Sequence, residues 1–123
     1  MTTDDQTTVT AAAVREHVDA FNAGDVDRLM AGFAHDARWI TGSTAVRGHE
    51  ELRAFFGAAI EGLRPDLAVR NLIAEDCRAA CQLTETLVHE QRQRSFPIAA
   101  FFRLRDGLIV SAKVYREGSA ELS

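Results

Sequence analysis

Four histidines are the side chains of this sequence best suited to proton transfer or metal binding near neutral pH. They stand at His17, His35, His49 and His89, and no pair has the His-x-x-x-His spacing of metal ligands on one helix face. No glycine-rich phosphate loop is present either, so we expect neither a metal nor a cofactor. Only His17 lies beside the apolar stripe of a predicted helix, and we expect the other three at the surface, His35 in a turn.

Cys77 and Cys81 are the only two cysteines, four residues apart. On one strand their Cα atoms would stand about 13 Å apart, beyond the reach of a disulfide. On one helix they would share a face, but no nearby His or Cys completes a metal site. We interpret both as buried free thiols.

The composition is that of an ordinary globular domain. The chain has 123 residues, of which 46% are hydrophobic and 26% charged, enough for one core and one domain. Its formal net charge of -4 argues against nucleic acid as a partner, since phosphate binding needs a basic surface. No apolar run is long enough to span a membrane, and the polar start MTTDDQTT lacks the features of a signal peptide. We expect no membrane partner and a cytoplasmic location.

The amino-terminal half is predicted to contain three helices and one strand. We expect a flexible polar tail over residues 1–9 and a single domain over 10–123, with Thr10 capping a first helix that runs to about residue 22. Asp25 should cap a short second helix by accepting hydrogen bonds from its free backbone N–H groups. A strand over Ala37–Thr41 follows, and the chain then enters a third helix after Gly48.

The carboxy-terminal half is predicted to be mostly strand. Leu67–Ala74 is rich in Val, Leu and Ile, which favours a strand. Glu75–Glu90 fits a helix slightly better than a strand by periodicity, and both assignments stay open on that basis. Ser95–Arg105 and Leu108–Tyr115 flank Asp106-Gly107, a tight-turn signal, and form an antiparallel hairpin.

Three segments carry a family resemblance. They read FNAGDVDRLMAGFAHDA, RGHEELRAFF and FFRLRDGLIVSAKVYRE, and they resemble the SnoaL-like branch of the nuclear transport factor 2-like superfamily. The resemblance implies the α+β class, with three amino-terminal helices packed in a curved, mostly antiparallel sheet to form a cone-shaped α+β barrel. It also implies a strand rather than a helix over Glu75–Glu90. Its members include ketosteroid isomerases, polyketide cyclases, epoxide hydrolases, dehydratases and binding proteins, so the fold leaves the reaction open.

The resemblance further implies a ligand cavity inside the cone, and the alternation of side chains along each strand selects its lining. The predicted ligand-binding residues are His17, Trp39, Thr41, Phe56, Gln82, Thr84, Thr86, Ile98, Ala100, Phe102 and Val114. Val88 and Ala112 are predicted to face the same way, with Arg116 and Glu117 at the rim. Homodimers of the family usually form through the outer sheet face, which here should carry Ala99, Phe101, Arg103, Lys113 and Tyr115.

The catalytic groups of known relatives have no counterparts at the matching positions. The carboxylate base of ketosteroid isomerases falls on Thr41, their acidic hydrogen-bond donor on Ala100 and their helix tyrosine on His17. The Asp-Arg-Asp arrangement of epoxide hydrolases falls on Val114, Thr86 and Val88. Threonine cannot replace a carboxylate as the base that abstracts the proton, and alanine has no donor to replace the acid that holds the oxyanion of an isomerase.

Two functions of different classes follow. The favoured one is a SnoaL-like domain that binds a small, largely apolar molecule without the usual isomerase or epoxide hydrolase carboxylates. The alternative is an enzyme of the isomerase, cyclase or dehydratase type that uses His17 as its general acid or base. A perturbed pKa at His17, with polar groups deep in the cavity, would favour that enzyme. A dimerisation module with a filled interior is a third possibility.

Overall fold

Over the described part of the chain, two helices and two strands are followed by a third helix and four further strands. The computed structural model describes residues 3–62 and 64–117. The helices are α1 (Thr3–Ala23), α2 (Val26–Ala31) and α3 (Gly48–Glu61), and the strands are β1 (Phe33–Thr41), β2 (Thr44–Arg47), β3 (Asp66–Glu75), β4 (Arg78–His89), β5 (Arg92–Arg105) and β6 (Leu108–Arg116). Residues 1 and 2 of the predicted tail, and 118–123 of the predicted domain, lie outside the described residues.

The strands join into one sheet in the order β2-β1-β6-β5-β4-β3. Neighbouring strands are antiparallel except β1 and β6, which run parallel. One face of the sheet, called the inner face here, packs against the helices around a core that includes Val14, Leu29, Leu52 and Ile109, all at most 1% exposed. The predicted α+β class, with three helices packed in a mostly antiparallel sheet, is confirmed.

Helix α1 is longer than predicted. It begins at Thr3, so the flexible tail expected over residues 1–9 is wrong for residues 3–9. Thr10 is no cap: it is fully buried within the helix, and its hydroxyl donates to the carbonyl of Asp76 at 2.6 Å. The Thr7 hydroxyl oxygen accepts the backbone N–H of Asp76 at 2.8 Å. These contacts with the β3–β4 turn hold the first turns of α1, and their partner lies too far along the chain for local sequence to reveal it.

The cap of α2 agrees with the prediction. Gly24 adopts a φ of 69°, which ends the preceding helix in a conformation that glycine tolerates. Asp25 is extended, and its Oδ1 accepts the backbone N–H of Arg28 at 3.0 Å. The cap begins α2, which connects α1 to β1, the strand that carries Trp39.

Loss of this cap should destabilise the protein measurably. We expect Asp25→Ala to lower the free energy of unfolding by about 1 kcal/mol, because the N–H of Arg28 loses its acceptor. Asp25→Asn keeps an acceptor at the same place and should cost a few tenths of that. Urea unfolding of the three proteins at pH 7 measures the difference, and equal midpoints for all three would contradict the capping role.

Two differences from prediction occur around β1. The strand begins at Phe33 rather than Ala37, so His35 and the adjacent Asp36 lie in a strand, and the predicted surface turn is wrong. Asp36 is held there by an ion pair with Arg105 at 2.7 Å. Strand β2 was not predicted, since it has four residues, none of them buried, and so lacks a clear alternation of apolar side chains.

The remaining strands follow the predicted order, and Glu75–Glu90 is mainly strand β4, as the resemblance implies. Strand β3 forms one edge of the sheet. Its pairing with β4 shifts between Val69 and Asn71, which leaves Arg70 in a β-bulge. The Arg70 Nε donates to the Thr84 hydroxyl at 2.9 Å.

Both cysteines are free thiols. Cys81 is buried, while Cys77 is partly exposed rather than buried as predicted. Burial raises the pKa of the Cys81 thiol. Among the described residues, no helix combines the length and apolar character needed to cross a membrane.

Candidate functional site

A mainly apolar cavity of about 120 Å³ lies between α1, α3 and the inner face of the sheet. Four polar side chains reach it, those of His17, Thr41, Glu85 and Arg116. The apolar lining residues are Val18, Phe21, Trp39, Phe55, Phe56, Ala59, Pro65, Leu67, Leu83, Ile98, Ala100, Phe102 and Val114. A cavity of about 120 Å³ has room for a small molecule.

Most of the predicted lining does face this cavity. The residues so placed are His17, Trp39, Thr41, Phe56, Ile98, Ala100, Phe102 and Val114. Strand pairing explains the agreement on β5 and β6, since Ala100 stands opposite Val114 and Phe102 opposite Ala112. Residues opposite one another share a face of the sheet. Whether these side chains contact a ligand stays a prediction.

The prediction is wrong for β4. Gln82, Thr84 and Thr86, together with Val88, lie on the outer face, where Gln82 and Thr84 border a shallow groove with Tyr115. The alternate positions point inward instead, and the buried residues of β4 are Ala79, Cys81, Leu83, Glu85 and Leu87. A shift of one residue in the assumed alternation exchanges the two faces of a strand.

The signal for the correct face was present in the sequence. Four of the five odd-numbered positions from 79 to 87 are apolar, whereas positions 82, 84 and 86 are polar. This alternation places the odd positions toward a core. The same reasoning would have identified Glu85 as a polar residue in an otherwise apolar inward series.

Glu85 forms a partly buried ion pair with Arg116, which lies at the carboxyl end of β6. The Arg116 Nη1 donates to Glu85 Oε1, and its Nη2 approaches Oε2 at 3.3 Å. The Glu85 side chain is 9% exposed and that of Arg116 25%. Strand β5 runs between them, with Phe96 opposite Glu85 and Ile98 opposite Arg116. The pair therefore spans β5 and adds a polar group to the apolar wall.

Arg116, which was predicted at the cavity rim, does line the cavity, whereas Glu117, predicted at the same rim, does not. Glu117 is exposed and borders the outer groove beside Tyr115. Successive strand residues point to opposite faces, so the residue after Arg116 has to leave the cavity.

His17, on α1, is surrounded by aromatic rings from β1, α3 and β5. Its ring centroid is 5.3 Å from that of Trp39, 5.5 Å from Phe33, 5.8 Å from Phe102 and 6.0 Å from Phe56. The residue is 6% exposed, and its Nδ1 is buried without a hydrogen-bond partner among the described residues. Such surroundings favour the uncharged imidazole.

Burial lowers the pKa of His17 from 6.5 to about 4. The pKa is perturbed, as the catalytic alternative expects, but away from neutral pH. At pH 7 only about one His17 in a thousand would be protonated and able to act as a general acid. A base with this pKa is also weak, since efficient proton transfer requires a pKa near the working pH.

The side-chain amide of Asn22 makes two hydrogen bonds with the backbone of Leu67, a residue of the cavity lining. Its Nδ2 donates to the carbonyl of Leu67 at 2.8 Å, and its Oδ1 accepts the N–H of the same residue at 2.9 Å. The end of α1 is thereby joined to the start of β3, and Leu67 is held in the lining.

The other histidines lie outside the cavity lining. His35 and His89 are exposed on strands, and His49 Nε2 is 2.9 Å from the carbonyl oxygen of Phe33, to which the ring N–H can donate. Within residues 3–62 and 64–117, no three His, Cys, Asp or Glu side chains group as metal ligands.

The sequence and the structure were compared with known families, curated proteins and solved structures. The profile of the SnoaL-like domain family matches residues 14–112. No curated protein matches the sequence.

Several solved structures are similar to this chain. One, from Kribbella flavida, is provisionally described as a ketosteroid isomerase and has a TM-score of 0.83 at 24% identity, covering 98% of this chain and 85% of its own. An NTF2-like protein of unknown function from Burkholderia pseudomallei has a TM-score of 0.81 at 21% identity, covering 89% and 91%. An LEH-like epoxide hydrolase from M. tuberculosis has a TM-score of 0.81 at 19% identity, covering 90% and 84%. At these identities the likeness shows the fold alone.

Proposed function

We propose that this chain, which belongs to the SnoaL-like domain family, binds a small, largely apolar molecule in the cavity between α1, α3 and the sheet. The match to the family profile confirms the family that the sequence resembles, and the similar solved structures confirm its fold. The observation that carries the proposal is the cavity itself, whose lining is apolar apart from four side chains. Pockets that are mainly apolar and contain a few placed polar groups are typical of small-molecule sites.

The volume of the cavity limits the size of the ligand. An apolar cavity of about 150 Å³ accommodates benzene, and the present one measures about 120 Å³. A single small ring or a branched chain of similar size is therefore about the largest ligand that the cavity can hold without movement of its lining, whereas a steroid requires the lining to open. Phe55 and Phe56 are the bulky side chains that α3 contributes to this lining.

Three features support binding over catalysis. The isomerase positions hold Thr41 and Ala100, which carry no carboxylate. The inward positions of β4 nearest the expected epoxide hydrolase residues are Glu85 and Leu87, and Leu87 can supply neither the acid nor the base. The low pKa of His17 makes its imidazole a poor acid and a weak base at neutral pH. Glu85 is a carboxylate that the sequence interpretation overlooked, but Arg116 contacts both its oxygens.

Trp39 allows a direct test, because it is the only tryptophan and lies in the cavity wall. We expect methylcyclohexane and cyclohexanone to change its fluorescence in a saturable manner. Ala100→Leu places a larger side chain in the cavity and should weaken this binding at least tenfold, since the ligand and the new side chain compete for the same space.

Ala99→Leu is the matched control. Ala99 adjoins Ala100 on β5 and borders the outer groove, so the same substitution leaves the cavity unchanged. Thermal unfolding of both variants verifies that they are folded. Equal affinities in Ala100→Leu and Ala99→Leu would place the binding elsewhere and contradict the proposal.

Assembly and location stay predictions. The outer face exposes Phe101 and Tyr115, at 52% and 51%, and these apolar side chains support the predicted homodimer through that face. We also retain the proposals that the protein is cytoplasmic and binds neither nucleic acid nor membranes. Gel filtration with light scattering would measure the oligomeric state.

A further inference from the structure

We infer that Glu85 determines the specificity of the cavity: by neutralising Arg116 it selects an uncharged ligand that carries a hydrogen-bond acceptor oxygen, and it excludes carboxylates. This inference rests on the proposed binding function and adds the chemical class of the ligand. Neither Glu85 nor Arg116 stands at a position that the family resemblance matches to a catalytic residue of the relatives.

The ion pair of Glu85 and Arg116 has a desolvation cost, which suggests that it is retained for a function other than stability. Two charges removed from water lose solvation, and apolar residues of similar volume usually stabilise a protein at least as well. Both residues line the cavity, and the Glu85 side chain is only 9% exposed. Removing Glu85 alone would leave a cation in an apolar wall, which would attract any small organic anion. The carboxylate prevents this by placing a fixed negative charge beside it.

The pair nevertheless leaves donors available. A guanidinium has five N–H groups, and the contacts with Glu85 engage one on Nη1 and one on Nη2. About three N–H groups of Arg116 then remain for other acceptors. Because the Arg116 side chain is 25% exposed and borders the cavity, these donors can meet a ligand oxygen at the cavity wall.

Electrostatics then sorts ligands by charge. A carboxylate placed at Arg116 would stand beside the Glu85 carboxylate, and like charges in a poorly solvated site repel strongly. An ammonium group would meet the guanidinium in the same way. A neutral carbonyl or hydroxyl oxygen accepts an N–H of Arg116 without either penalty, while its apolar body packs against Leu83 and Ile98.

The test uses four compounds with the same ring: cyclohexanone, cyclohexanecarboxylate, cyclohexylamine and methylcyclohexane. Each is titrated against the wild-type protein at pH 7 with Trp39 fluorescence as the readout. We expect cyclohexanone to bind at least tenfold more tightly than either charged compound, and more tightly than methylcyclohexane. In Glu85→Gln we expect the preference for the ketone over the carboxylate to narrow at least tenfold or to reverse, because Arg116 is no longer neutralised.

Glu75→Gln is the matched control, since Glu75 also pairs with an arginine, Arg78, at 3.0 Å, but on the exposed surface. It should keep the wild-type preference. The inference is overturned if the wild type binds the carboxylate or the amine as tightly as the ketone, or if Glu85→Gln keeps the wild-type ratio.

The outcomes also separate this inference from the function on which it rests. Saturable binding of methylcyclohexane with no advantage for cyclohexanone overturns the inference and leaves the binding function standing. Binding of none of the four compounds overturns both. Should Glu85→Gln fail to fold, the ratio among the ketone, the carboxylate and the amine in the wild-type protein decides the matter by itself.

Discussion

Between pH 7 and pH 4, the free energy of unfolding of the wild-type protein is expected to fall by about 3 kcal/mol more than that of His17→Phe. The pKa of His17 is about 4 in the folded protein and about 6.5 in an unfolded chain. Within this interval the unfolded chain binds a proton that the folded protein excludes, so stability decreases as the pH decreases. The stability that the fold gains from keeping His17 uncharged is fully present above about pH 6.5 and is lost by about pH 4.

Urea unfolding at pH 7, 6, 5 and 4 measures this difference. Phenylalanine has no titrating group and can pack among Trp39, Phe56 and Phe102, whose rings surround the imidazole. The control is Val18→Leu, since Val18 is buried beside His17 on α1 and carries no titrating group, so its replacement alters packing but should keep the wild-type pH dependence. Parallel curves for His17→Phe and the wild type would show that the imidazole is not excluded from protonation in the fold.

Arg116→Met is expected to lower the free energy of unfolding by about 3 kcal/mol at pH 7. The substitution leaves the Glu85 carboxylate unpaired in a position where its side chain is 9% exposed. Glu85→Leu should cost less, because the Arg116 side chain is 25% exposed and its charge stays partly solvated at the cavity wall. The double variant Glu85→Leu, Arg116→Met should recover most of the loss, since it contains no unpaired charge.

Denaturant unfolding of the wild type, the two single variants and the double variant forms a complete double-mutant cycle. The exposed pair of Arg78 and Glu75, whose side chains are 62% and 77% exposed, supplies the comparison, and Arg78→Met should cost no more than about 1 kcal/mol. If Arg116→Met costs no more than Arg78→Met, the carboxylate of Glu85 is better solvated than the structure indicates.

Features that depend on neighbouring residues could be predicted from the sequence. Asp25 caps a helix whose free N–H groups are three residues away, and Asp106-Gly107 turns the chain between adjacent strands. The apolar and aromatic sides of β5 and β6 likewise follow from alternation, which explains why Ala100, Phe102 and Val114 face the cavity as predicted.

Features that depend on distant residues could not be predicted in this way. The start of α1 is held by Asp76, 66 residues beyond Thr10. The partner of Glu85 is 31 residues away and reaches it across β5. The face of β4 is a different case, because the apolar alternation of positions 79 to 87 is legible in the sequence, but the even-numbered positions were assigned to the cavity.

The bulge at Arg70 bears on how the protein behaves at high concentration. A long edge strand offers unpaired N–H and C=O groups to a second chain, and continuous pairing of this kind leads to fibrils. Strand β3 has ten residues at such an edge, but the bulge interrupts its regular spacing between Val69 and Asn71 and places a cation there. The opposite edge, β2, has only four residues. Both edges of the sheet therefore disfavour the addition of further strands. We expect the protein to resist aggregation through strand pairing at high concentration.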